Sequence, residues 1–72
     1  MRDLIFKTNI ESHEMVNFIK PVLNDHPFIM EWHIDTEDVD NVLGIDGMGK
    51  IDENDIIEMV KEVGFQCEVL PD

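Results

Sequence analysis

The sequence holds one cysteine, Cys67, no tyrosine, one tryptophan and only five lysine or arginine residues in 72 positions. Each scarcity closes a class of function. A lone thiol forms no intrachain disulfide, so nothing ties the chain to an oxidising compartment or to a disulfide-stapled scaffold. Five cations against 17 acidic residues leave a formal net charge of −12. Such a chain repels phosphate backbones and anionic lipids, so neither nucleic acid nor a membrane is an expected partner, and a charged partner should be a protein with a basic surface. No apolar run approaches the roughly 18 to 20 residues of a membrane-spanning helix, which predicts a soluble chain. The opening "MRDLIFKTNI" has an aspartate after its one arginine, and its apolar run ends at Phe6, too short for a secretory leader. A cytoplasmic location is the default expectation.

What is present is enough apolar material for one small core. Hydrophobic residues make up 43% of the chain and are spread along it without a linker or an internal repeat, which predicts a single domain over residues 1–72, near the lower size limit for an unstapled fold. In "DLIFKT", Leu4, Phe6 and Thr8 alternate with Ile5 and Lys7, the period of a half-buried strand. Ser12 can cap a following helix whose apolar residues Met15, Phe18, Ile19, Val22 and Leu23 recur at helical spacing. Pro21 lies inside that pattern and predicts a kink or an irregular last turn.

"NDHP" ends the helix. "FIMEWHID" then alternates again, with Met30, Trp32 and Ile34 on one face and Glu31, His33 and Asp35 on the other. "NVLGID" reads as a third strand that stops at the glycines of "DGMGK". Asp52 caps a second helix with Ile56, Ile57, Val60 and Val63 as its apolar face, an acidic first turn and Gly64 as the stop. "FQCEVL" reads as a last strand with Phe65, Cys67 and Val69 inward. The order is strand, helix, strand, strand, helix, strand. Right-handed crossovers then give an α+β, ferredoxin-like βαββαβ sandwich: an antiparallel sheet of order 4-1-3-2 with both helices on one face.

Taken in order, "FKTNI" leading into a loop, "IKP", "EWHID", "VLGIDG" and "IIEMVKEVGFQCEVL" resemble the heavy-metal-associated domain family, to which copper chaperones and the N-terminal modules of copper-transporting ATPases belong. The resemblance spans almost the whole chain. In that family the loop after the first strand resembles G-M-x-C-x-x-C, and two thiolates at a helix N-terminus hold a soft ion such as Cu(I). Here Ser12 stands at the first cysteine position and Met15 at the second. A hydroxyl and one neutral thioether do not replace two thiolates, so the resemblance implies the fold while the metal role does not carry over: the motif is degenerate, and no cofactor is expected.

Two readings of function follow. The first is a non-enzymatic interaction or regulatory module that has lost its metal loop; family members use that loop and the adjoining helices to dock on a similar fold. In this reading Ser12 is a helix cap, Met15 is core, His13 and Glu14 are solvated, and Cys67 is a buried apolar residue. The second is a soft-metal carrier that binds copper or zinc through His13, Met15 and Cys67, since the start of the last strand should lie near the end of the first.

Other chemistry finds little support. His33 with Glu31 and Asp35 should sit on an exposed edge strand, where polar residues keep the edge soluble. "GIDGMGKIDEND" superficially resembles a calcium loop, but Gly44 and Met48 stand where two ligand oxygens are required. The chain has no Gly-rich phosphate loop and no serine, histidine and acid set with an orienting geometry, and His26 sits in a turn beside Pro27. An RNA-binding version of this fold needs exposed aromatic and basic residues on its sheet, where this chain offers Glu31, His33, Asp35 and Asp46.

Overall fold

The computed structural model describes residues 2–70. The chain runs β1 (Arg2–Thr8), α1 (His13–Asn24), β2 (Ile29–Ile34), β3 (Leu43–Gly47), α2 (Glu53–Val63) and β4 (Cys67–Val69). The strands form one antiparallel sheet of order β2-β3-β1-β4, as the two right-handed crossovers predict. β1 is central, and β2 and β4 are the edges.

Alternation along the strands sends Leu4, Phe6 and Thr8, Leu43 and Ile45, and Cys67 into a core with Ile19 and Leu23 of α1 and Ile56 and Val60 of α2. Both helices therefore cover the same face of the sheet. Caps fix their ends. Ser12 and Asp52 are extended at the N-caps, each accepting a backbone N–H of the first turn, and Gly64 ends α2 at φ 113°, a left-handed geometry that favours glycine.

Four expectations change. α1 continues unbroken through Pro21, and the carbonyl of Pro21 still accepts from Asp25 N at 3.1 Å. The proline lies on the exposed side of the helix, where water can serve the carbonyl that loses its donor. Phe18 does not join the core and is 71% exposed, because it lies about 100° around the helix from the buried Ile19. Met30 is also exposed, since a register shift between Ile29 and Glu31 inserts it as an extra residue and turns Ile29 inward instead. Val69 is exposed at the end of the short edge strand β4. The core gains two residues from loops, Ile10 and Ile51, both fully buried.

Candidate functional site

The segment that the sequence resemblance singles out joins β1 to α1. Thr8, the last residue of β1, is buried, and its hydroxyl accepts from Ile10 N at 3.1 Å. Ile10 turns its side chain into the core, which anchors the loop from below. Ser12 then starts α1: its Oγ accepts from Met15 N at 3.3 Å and its carbonyl from Val16 N at 3.0 Å. Met15 is half-buried, and its Sδ accepts from Glu11 N at 3.3 Å. The loop thus closes on its own hydroxyl and thioether: the hydroxyl takes Met15 N, a donor that the helix N-terminus leaves over, and the thioether takes Glu11 N just before the cap. His13 and Glu14, between them, are exposed.

The only thiol stands across the sheet end. Cys67 pairs with Thr8 in the β1–β4 ladder, and the preceding amide, Gln66 N, donates to Asn9 Oδ1 at 2.8 Å. The start of β4 therefore lies beside the loop, as the antiparallel pairing predicts. Cys67 itself is only 6% exposed. Burial pushes its thiol up from 9.0 to about 11; nearby Lys61 opposes this and Glu68 adds to it. Near neutral pH it is a protonated thiol, and the thiolate is the form that ligates metals and attacks electrophiles. A shallow hollow of about 470 Å³ adjoins it, bordered by Lys7, Lys61 and Glu68.

The three sequence candidates for a soft-metal site thus have different surroundings: His13 in solvent, Met15 turned to Glu11, and Cys67 in the core opposite Thr8. Among the described residues no three His, Cys, Asp or Glu side chains are gathered in an arrangement for holding a metal ion. A hydroxyl, a committed thioether and a neutral buried thiol do not fit the two-thiolate chemistry of a Cu(I) loop. On β2, Glu31 and His33 are exposed at a sheet edge as expected, with Asp35 just beyond the strand. Its carboxylate is engaged in the following turn, accepting from Glu37 N and Asp38 N.

Sequence reasoning missed the part that Thr8, Asn9 and Ile10 play in shaping this loop. A threonine ending a strand and an isoleucine between two polar residues were its only signals.

No family model matches the chain, and no curated protein matches it in sequence. Solved structures do match. The yeast copper transporter domain Ccc2a has a TM-score of 0.84 at 22% identity, covering 100% of this chain and 99% of that one. A copper-binding domain from HMA7, a P-type ATPase, has a TM-score of 0.83 at 18% identity over 99% and 96% of the two chains. The CsoZ metallochaperone has a TM-score of 0.77 at 15% identity over 93% and 96%. The chain shares the ferredoxin-like fold of these copper-binding and metallochaperone structures, with Ser12 capping α1, Met15 in its first turn and a single cysteine on the last strand.

Proposed function

We propose that this chain is a non-enzymatic protein-docking module that has kept the fold of a copper-carrying domain and works without an ion. The observation that carries the reading is the state of the loop: Ser12 Oγ and Met15 Sδ are both spent on backbone amides, and the one thiol is buried and protonated beside Thr8. A carrier must present anionic sulfur to an incoming ion. A docking surface needs only shape and charge, and both remain here. Phe18 is exposed on α1 close after the loop, and the net charge of −12 favours encounter with a basic partner. That one structural neighbour, Ccc2a, was solved in a complex with Atx1 and Cu(I) supports docking by a domain of this shape.

Two measurements test the proposal. Under reducing conditions, competition against a Cu(I) chelator should show no tight stoichiometric binding, and native mass spectra with Zn(II) should show only the weak adducts of an acidic protein. Tight binding lost on Cys67→Ala or Met15→Leu would establish the carrier reading instead. Photo-crosslinkable residues placed singly at position 18 on the helix face and at position 31 on the open sheet face should, in the source cells, capture from one of the two faces a basic partner whose affinity falls as salt rises and is unaffected by a copper chelator.

A further inference from the structure

The open face of the sheet carries an arrangement that the fold does not use. The register of the three neighbouring strands sets Asp3 opposite Asp46 and Asp46 opposite Glu31. Like charges directly opposite each other across strands are destabilising. Among the described side chains none of these three is in an ion pair, the pair found being Lys7 with Asp40. Asp46 Oδ1 is moreover shielded from solvent and has no hydrogen-bond donor among the described residues. A carboxylate oxygen in that state bears its desolvation cost without a donor to offset it.

The three carboxylates line a shallow dish of about 370 Å³ together with Ile5, Gly44 and His33. Glycine at position 44 is what admits the imidazole, since a Cβ there would stand 2.7 Å from His33 Nε2. At the same end of the sheet lie three exposed apolar residues, Phe28 at 42%, Met30 at 54% and Met48 at 45%. Met48 N donates to the Phe28 carbonyl at 2.9 Å, and Met30 stands at the bulge just before Glu31. An acidic dish bordered by exposed, adaptable apolar side chains has the composition of a recognition surface.

We propose that this face docks a basic segment of a partner protein, with one arginine side chain seated in the dish and apolar residues of the same segment covering Phe28, Met30 and Met48. The inference rests on the docking reading given above and assigns it a surface. A guanidinium presents several donors in a planar fork, so it can serve Asp46 and a neighbouring carboxylate together, while its stem lies along Ile5. A second copy of this chain is the wrong occupant because it brings the same charge of −12. A free metal ion is the weaker occupant, because among the described residues no three of these groups converge as ligands.

The test is a titration of the ¹⁵N-labelled chain with a capped five-residue peptide alternating arginine and leucine, and with the same peptide carrying citrulline in place of arginine. The arginine peptide should shift amides of residues 3–5, 30–33 and 44–48. Asp46→Asn should weaken it several-fold while Glu58→Gln with Glu62→Gln, which removes more charge from α2, should not. The citrulline peptide should lose most of the affinity. If Asp46→Asn fails to fold, Asp3→Asn takes its place. Shifts centred on Phe18 and residues 12–15 would overturn this surface and leave the docking reading standing, whereas tight Cu(I) binding would remove that reading itself. The dish would also be rejected as an arginine site by uniform shifts insensitive to Asp46→Asn, by equal binding of the citrulline peptide, or by Ca²⁺ giving the same shifts with the same dependence on Asp46.

Discussion

Thr8 Oγ1 donates to the carbonyl oxygen of Asn41 at 2.6 Å while accepting from Ile10 N at 3.1 Å. One buried hydroxyl thereby joins the end of β1, the loop that follows it and the turn between β2 and β3. Asn41 is held there at φ 44°, with its side-chain amide donating to the carbonyls of Thr36 and Asp38.

Thr8→Val keeps the shape of this residue and removes both hydrogen bonds, leaving an amide and a carbonyl unpaired. It should lower stability by about 2 kcal/mol, measured as a shift in the urea midpoint without a change in slope. A loss below about 0.5 kcal/mol would mean that water reaches both groups.

Gly47→Ala tests a close approach. A Cβ at that position would lie 2.5 Å from Ile51 Cγ2 and 3.0 Å from its Cδ1, and Ile51 is fully buried, so it has little room to move. The substitution should cost about 1 to 3 kcal/mol, the range for overpacking a filled core. Gly49→Ala removes a left-handed glycine with open space around it, and its cost should come from backbone strain alone, about 1 kcal/mol. Thermal unfolding of the two variants separates the causes.

Placing two cysteines at the start of α1 tests whether this loop has the geometry of a metal site. Ser12→Cys with Met15→Cys should create Cu(I) binding under reducing conditions, because both sulfurs would lie in the first turn of α1 with the helix dipole favouring thiolate. Each single change should give much less. The cost in stability should be about 1 to 2 kcal/mol, since the cap bond and a half-buried thioether are lost. A folded double variant with no more affinity than the singles would show that the loop geometry differs from that of a thiolate site.

Cys67 predicts a pH dependence with a definite sign. Its thiol titrates near 9.0 when unfolded and near 11 when folded. Between those values the unfolded chain loses its proton first, so this contribution to stability is complete below about pH 9 and is lost as the pH climbs toward 11. The loss should reach about 3 kcal/mol, since each of the two pKa units between 9.0 and about 11 is worth about 1.4 kcal/mol. Cys67→Ala should flatten that part of the stability profile, and the difference between the two profiles isolates the contribution of the thiol. Alkylation of the folded protein near neutral pH should likewise be slow against a model thiol.

Periodicity made most of the fold legible. The alternation of Leu4, Phe6 and Thr8, and the helical spacing of Ile56 and Val60, depend only on which side of an element faces the core. Three features escaped because they depend on tertiary placement. The bulge at Met30 adds one residue to β2 without altering its composition, so the alternation read from sequence continued one step too far. Ile10 and Ile51 lie in connections, where no repeating period marks a buried position. Phe18 lies at the margin of the apolar stripe of α1, and only the neighbouring elements decide whether a margin is covered. At the candidate site the residue types were legible, a serine able to cap α1 at position 12 and a methionine at position 15, and the cap is present. The use of Met15 Sδ as an acceptor for Glu11 N depends on a rotamer, which a sequence does not record.

The central position of β1 also shapes how the chain must fold. β1 pairs on one side with β3 and on the other with β4, and Asn9 meets Gln66 across 57 positions. Such distant partners raise the contact order and slow the search, because a long loop must close before the pairing gives anything in return. During synthesis β1 emerges first and stays an open-sided strand until residues 67–69 arrive to cover it. The interval is a window for mispairing. The net charge of −12 keeps nascent copies of this chain apart during that interval.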